Sequence, residues 1–189
     1  RPGDNYDGSQ GVLLDFRNNV IYDWGGACGY GVKERFQLNY IGNFLKAGPS
    51  TIPVERQTAF HVGGPGNRVF VAGNILEGMP ESDDDNWRLV AWPKELKETE
   101  RAPVKTPAAF QTPVVNTNAA RDAYAAVLAD VGATLPRRDP VDVRIVNTVR
   151  KGSGRIIDSQ NEVDGWPAYS SKRPATDTDN DGMPDKWER

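Results

Sequence analysis

The sequence predicts an all-β core built as a parallel β-helix, and three observations support this prediction. Segments centred on Asn19, Asn43 and Asn74 share one pattern: an aromatic or branched residue, any residue, Asn or Gly, Asn, then two large apolar residues. The asparagines are 24 and 31 residues apart, a spacing typical of solenoid repeats. An alternating apolar run precedes each asparagine, which is the period of a strand with one buried face.

Asparagine suits the bend between the two strands of each repeat. Its backbone tolerates left-handed angles, and its amide can bond to backbone in a turn or to the amides of stacked turns. Asn- and Gly-rich turns between short strands also occur in antiparallel sandwiches. Two large apolar residues follow the turn in every repeat, however, and this favours a strand that continues around a coil over one that reverses.

The predicted coils, their loops and a covering strap occupy residues 1–115. The first two coils are expected at about residues 12–24 and 35–46, and the third ends near residue 78. A short extended pass is expected over residues 52–60. From residue 81 the chain is rich in Pro and Lys without a sustained period, which predicts a long strap on the surface of the solenoid.

Two helices are predicted within a segment, residues 116–168, that packs on the coils. Asn118 is the expected N-cap of the first helix and Gly132 its stop. The apolar face of this helix is Ala120, Tyr124, Val127, Leu128 and Val131. Asp139 and Pro140 mark a second start, a cap followed by Pro at the first helical position. The second apolar face is Val141, Ile145 and Val149, ending at Gly152.

Composition narrows the range of functions. The chain has 189 residues and a formal net charge of −3, so it gives no reason to expect a nucleic-acid partner. No apolar run is long enough to predict a membrane span. Cys28 stands alone and is expected to be a small buried thiol. His61, the one histidine, has no ligand residues beside it in sequence, which favours a structural or surface role. Neither residue supports a zinc site or a catalytic triad.

The end of the chain carries the most specific motif. Residues 177–188 fit the twelve-residue calcium loop position by position, with Gly182 at the sharp turn. The predicted ligands are Asp177, Asp179, Asp181, the carbonyl of Met183, Asp185 and Glu188. Pro174 and its polar neighbours make a poor entering helix, so a helix-loop-helix calcium site is not expected. A bound calcium ion is instead expected to stabilise an extracellular linker, residues 169–189. The alternative is a disordered acidic tail.

Four segments, residues 14–25, 43–49, 71–74 and 156–167, carry a resemblance to a known family. In this order they resemble the C-terminal half of secreted bacterial pectate lyases of polysaccharide lyase family 1. The resemblance implies a right-handed parallel β-helix, calcium as cofactor, and cleavage of polygalacturonate by β-elimination. It also implies an acidic polysaccharide as partner and a secreted location, extracellular or periplasmic.

In that family, calcium bridges the substrate carboxylate and acidic side chains of the enzyme, and an arginine removes the C5 proton. Those residues precede the stretch that matches Val12, so this chain is expected to lack most of them. Arg1 resembles a supporting arginine of that site. The resemblance therefore predicts an N-terminal half of the same protein, as a removed fragment or a separate chain, on the open end of the coils.

Tyr30, Lys33 and Arg35 follow the first coil in a Gly-rich loop and are candidate substrate-binding residues. An aromatic ring and two cations suit an anionic sugar, although such residues are also common on solvated loops. Two other functions stay open. One is a non-catalytic, calcium-stabilised β-helix module that binds glycan or serves adhesion. The other is a lyase for another uronate, such as rhamnogalacturonan or alginate.

Overall fold

The computed structural model describes residues 11–80, 85–135, 137–168 and 174–188. The chain divides into two compact units, Arg1–Ile156 and Ile157–Arg189. Within the described residues, every strand and every α-helix belongs to the first unit.

Short parallel strands build the first unit. The strands are β1 (Val12–Arg17), β2 (Val20–Tyr22), β3 (Phe36–Ile41), β4 (Phe44–Lys46), β5 (Phe60–His61), β6 (Asn67–Ala72), β7 (Ile75–Leu76) and β8 (Val90–Ala91). They form three sheets with the orders β1-β3-β6, β2-β4-β7 and β5-β8, and every pairing between them is parallel. Each of three passes of the chain therefore adds one strand to the first sheet and then one to the second.

Similar side chains stack on one another across the first sheet. The register places Leu14 beside Leu38 and Leu38 beside Val69. Phe16 lies beside Tyr40, and their rings are stacked with centroids 5.4 Å apart. Because in-register parallel pairing sets equivalent residues side by side, one apolar stripe per repeat is enough to build a continuous core.

Four asparagines form a ladder along these passes. Asn19, Asn43 and Asn74 lie at the turns from the first sheet to the second, and Asn86 begins a 3₁₀ turn, Asn86–Leu89. The side-chain oxygen of each later member accepts both the backbone N–H and the Nδ2–H of the member before it, at 2.7–3.0 Å. The three asparagines picked out by the sequence are therefore aligned.

The residue before each of the first three ladder asparagines makes the sharp bend. Asn18, Gly42 and Gly73 have φ values of 56°, 60° and 63°. Only Gly, Asn and Asp adopt this left-handed conformation at low cost, which explains the "Asn or Gly" position of the repeat. The bend and the ladder thus use two adjacent residues.

The predicted extended pass between the second and third repeats is wrong. Residues 52–60 are not an extended pass, because the 3₁₀ turn Pro53–Glu55 interrupts them before β5 begins. Proline stands at the start of this turn, and the amide of Glu55 donates to the carbonyl of Ile52 at 3.0 Å. The fixed φ of proline suits this first position.

Three helices follow the strands: α1 (Glu98–Arg101), α2 (Ala120–Asp130) and α3 (Pro140–Lys151). Leu128 of α2 and two valines of α3, Val146 and Val149, form a small core to which Val20 and Tyr22 of β2 also contribute. The two longer helices therefore pack on the side of the second sheet. The predicted cap and stop of α3 are confirmed, since Asp139 accepts the amide of Asp142 and Gly152 is left-handed. By contrast, Asn118 does not cap α2.

The strap after α1 crosses the first sheet. The side chain of Asn39, fully buried, both donates to and accepts from the backbone of Phe110, at 3.0 and 2.8 Å. Further along, Asn18 makes the same two-way bond with the backbone of Asn118, at 2.8 Å each. These bonds hold a segment without regular structure against the sheet.

The second unit contains little regular structure within its described residues. Its 3₁₀ turn, Gln160–Val163, begins with a reciprocal capping box between Ser159 and Glu162. The Asp-rich loop follows after residue 174. None of the helices in the described parts of the chain is both long enough and apolar enough to cross a lipid bilayer.

Candidate functional site

The Asp-rich loop of the second unit brings three carboxylates together. Asp177, Asp179 and Asp181 each place one carboxylate oxygen within 4.8 Å of the other two. The backbone curls around them: Gly182 has a φ of 91°, its amide donates to Asp177 at 3.0 Å, and the amide of Met183 donates to Asp181 at 2.7 Å. Alternate acidic residues on a curled chain thus point to one centre.

One oxygen of this group lacks a donor. Oδ2 of Asp177 accepts the amide of Gly182, whereas Oδ1 is buried and accepts no hydrogen bond from the described residues. A buried carboxylate oxygen without a partner is costly, and a cation among the three carboxylates would satisfy it. Calcium is a hard cation that takes oxygen ligands, so the donors present fit it.

Asp185 is engaged elsewhere. Its carboxylate accepts the backbone amide of Thr178 at 2.7 Å and the Thr178 hydroxyl at 2.8 Å. These two bonds lower the pKa of the Asp185 carboxyl. Among the described residues, the three-carboxylate group contains neither Asp185 nor Glu188. Their ligand roles, and that of the Met183 carbonyl, stay predictions.

A second candidate surface lies beside β5. Tyr30 forms a single parallel bridge to His61, and His61 pairs with Ala91 of β8. The side chain of Phe60 is buried, whereas Tyr30 is 53% exposed. Because successive strand residues face opposite sides, Tyr30 and His61 lie in one row on the solvent side. We call Tyr30, His61 and Ala91 the third-sheet row.

His61 is held by a carboxylate that the sequence did not associate with it. Its Nε2 lies 2.6 Å from Oε2 of Glu55. An ionised carboxylate can only accept, so this nitrogen carries a proton and the ring orientation is fixed. Nδ1 of His61 has no hydrogen-bond partner among the described residues. The pair forms because the 3₁₀ turn Pro53–Glu55 folds back toward β5, which no local pattern signals.

The other predicted substrate residues are less closely grouped. Lys33 and Arg35 lie exposed in the loop between Tyr30 and β3. Tyr30 lines a cavity beneath β1, whereas Arg35 lines a separate cavity with Gln37 and Arg68. The structure therefore does not bring Tyr30 and Arg35 into one cavity. Arg1, the candidate supporting arginine, lies outside the described residues.

Known proteins resemble the chain over nearly its whole length. A probable pectate lyase C of Aspergillus fumigatus is 29% identical over 181 residues, which are 93% of this chain and 41% of that protein. The probable pectate lyase C of Aspergillus terreus is 30% identical over 191 residues, with 92% and 41% covered. The chain is related to proteins named as probable pectate lyases. A third relative, from Emericella nidulans and of the same name, is 29% identical over 180 residues, with 92% and 40% covered.

This relationship confirms the general resemblance found in the sequence. No family model matches the chain, so its place in polysaccharide lyase family 1 stays a prediction. These relatives are Aspergillus and Emericella proteins, whereas the resemblance in the sequence is to bacterial enzymes. The chain spans 40–41% of the length of these relatives.

Proposed function

We propose that the chain is part of an extracellular pectate lyase-like enzyme that cleaves polygalacturonate by calcium-assisted β-elimination. The observation that carries this proposal is the similarity to probable pectate lyases over 92–93% of the chain. We also propose that the three sheets are coils of a right-handed parallel β-helix. The parallel in-register pairings and the aligned asparagines support that architecture.

In this proposal the third-sheet row contacts the sugar chain. The exposed ring of Tyr30 offers a flat apolar surface to the C–H face of a sugar. His61, oriented by Glu55, offers Nδ1 to a sugar hydroxyl. Lys33 and Arg35, on the adjoining loop, would attract the carboxylates of the polymer.

Catalysis would need residues other than those of the third-sheet row and the adjoining loop. Calcium, when bound beside a substrate carboxylate, would make the C5 proton more acidic. By the family resemblance, the acids that hold this ion and the arginine base precede the stretch that matches Val12. The Asp-rich loop, in contrast, would hold a structural calcium ion in the second unit.

The edge of the first sheet supports a further part of the same protein as a partner. β1 is an outer strand, and Phe16 remains 36% exposed. Each later ladder oxygen accepts two hydrogen bonds, but the side-chain oxygen of Asn19 accepts none from the described residues. A mainly apolar cavity of about 410 Å³ opens beneath β1. Further coils, on an N-terminal segment or a separate chain, would cover this edge.

The activity is tested on the intact protein that carries this sequence. It is incubated with polygalacturonate and calcium at alkaline pH, and ultraviolet absorbance of unsaturated uronate is followed. We expect absorbance to rise and EDTA to stop the rise. No absorbance with calcium present would overturn the lyase proposal.

The second candidate function is a non-catalytic, calcium-stabilised module that binds glycan. The three converging carboxylates of the Asp-rich loop favour it, because they offer a calcium site that needs no catalytic residue. Retention on polygalacturonate without unsaturated product would support it. Parallel assays on rhamnogalacturonan and alginate test the choice of uronate.

A further inference from the structure

The outward side of α3 forms an open basic groove that is built from helix and loop rather than from the sheets. It measures about 570 Å³ and is lined by Arg137, Arg138, Pro140, Val143, Arg144 and Asn147. The four lining residues of α3 follow the spacing i, i+3, i+4, i+7 and so share one helix face. Val146 and Val149 bury the opposite side. We call this depression the arginine groove.

The arginine groove is positively charged, and no carboxylate from the described part of the chain lines it. Residues 137–151 carry three more positive than negative charges, although the whole chain is at −3. Both acidic side chains of this segment accept backbone amides: Asp139 from Asp142 at 2.9 Å, and Asp142 from Ala133 at 2.8 Å. Neither of these two carboxylates is among the described residues that line the groove.

The three arginines play different parts. Arg138 is fixed by bonds from Nη2 and Nη1 to the carbonyls of Ala129 and Leu128, at 2.8 and 3.5 Å. Its Nε is buried and has no acceptor among the described residues. Within the same described part of the chain, Arg137 and Arg144 form no hydrogen bond or ion pair. Two guanidinium groups are therefore available to a ligand beside one that is held in place.

We propose that the arginine groove binds carboxylates of an acidic polysaccharide, as an accessory site distinct from the third-sheet row. Guanidinium groups bind carboxylates through two parallel hydrogen bonds. Val143, 43% exposed, and Pro140 supply apolar surface for a sugar ring, and Asn147 can exchange hydrogen bonds with its hydroxyls. The volume falls within the range of ligand pockets, about 300–1,000 Å³. The choice of a polyuronate over other anions rests on the proposed function.

Binding is measured at the groove itself, by following the backbone amide signals of Val143 and Asn147 in NMR spectra of the intact protein that carries this sequence. Trigalacturonate is titrated in EDTA, which stops calcium-dependent cleavage. We expect saturable shifts, and an affinity about tenfold weaker in the Arg137→Ala/Arg144→Ala variant, because charge-assisted hydrogen bonds are strong. The fully methyl-esterified trimer should cause no such shifts.

The matched control is Arg88→Ala/Lys94→Ala, which removes the same charge from two exposed positions that lie outside α3 and outside the groove lining. We expect its affinity to stay within about twofold of the parent, since general attraction by distant charges is weak. Thermal unfolding of both variants checks that they fold. An equal loss in both variants, no loss in either, or equal shifts with the methyl ester would overturn the proposal.

This experiment separates the groove from catalysis. If arginine-dependent shifts occur but the intact protein forms no unsaturated uronate, the lyase proposal fails and the groove proposal stands. If the protein is an active lyase without groove shifts, only the groove proposal fails.

Discussion

Cys28 illustrates how burial decides the chemistry of a single residue. The thiol lines the cavity beneath β1. Burial raises the pKa of Cys28 to about 12, and the negative charge of Glu55 adds to the effect. Because the folded state holds this proton more tightly, the associated stability is complete below the unfolded pKa near 9.0 and is lost as pH rises toward 12.

We predict that Cys28 is inert in the folded protein at pH 8. Only the thiolate attacks disulfide reagents, and a pKa three units higher leaves about a thousandfold less of it. Reaction with Ellman's reagent, followed by absorbance, should therefore be slow in buffer and fast in urea. Comparable rates in the two conditions would show that the thiol is exposed and ordinary.

His61 shows the limit of reading residues one at a time. The sequence supports a structural or surface role, and the structure adds its contact with Glu55 and its place beside Tyr30. Neither contact can be predicted from the residues next to His61 in sequence. The contact with Glu55 depends on a 3₁₀ turn, and the position beside Tyr30 depends on the pairing of separate passes of the chain. Tyr30 could be proposed from sequence because aromatic residues in exposed loops are themselves a signal.

At the scale of elements, the local sequence of α3 predicts where the helix begins and ends better than it predicts which of its residues are buried. The Asp139–Pro140 start and the Gly152 stop of α3 follow directly from the sequence. The predicted apolar face is right in part, since Val149 is buried, whereas Ile145 is 47% exposed and the neighbouring Val146 is buried instead. The predicted N-cap of α2 is wrong, because the backbone of Asn118 bonds to the side chain of Asn18, a residue 100 positions away, and the helix begins without a side-chain cap. A hydrogen bond between residues so far apart in sequence produces no periodic pattern from which it could be predicted.

The asparagine ladder yields the prediction for this scale. Asn43 is fully buried, and its side chain makes bonds with Asn19, Asn74 and the carbonyl of Phe16. Asn43→Ala would leave several buried polar groups without partners, at about 1–3 kcal/mol for each unsatisfied group. We expect the free energy of unfolding in urea to fall by about 3 kcal/mol.

Asn116→Ala is the matched control, because Asn116 is exposed in the segment that precedes α2. It should change the free energy of unfolding by less than about 0.5 kcal/mol. A similarly small effect of Asn43→Ala would mean that the ladder contributes little beyond packing.

At the scale of the whole molecule, the sequence predicts the repeated strands well but does not predict where the chain divides into two units. The aligned asparagines and parallel neighbours follow from one repeated pattern, because stacking in register brings equivalent positions together. The division after Ile156 does not follow from that pattern, and it places the Asp-rich loop in a unit of its own. Calcium binding by that loop is therefore expected to change the stability of the second unit.

The last prediction concerns calcium binding by the second unit. We expect the loop to bind calcium with a Kd of about 10⁻⁴–10⁻³ M, as extracellular modules do, and to bind magnesium more weakly because magnesium needs a stricter geometry. Asp181→Ala should weaken calcium binding by about tenfold or more, since it removes one of three converging carboxylates. Isothermal titration calorimetry measures both ions.

Asp158→Ala is the control for that variant, because it removes an exposed carboxylate of the same unit that lies outside the group. Its calcium affinity should match that of the parent. Calcium should also protect the second unit from limited proteolysis, since a bound ion stabilises only the folded loop. If Asp158→Ala and Asp181→Ala weaken binding equally, the attraction is a general effect of acidic charge and the three carboxylates do not form a site.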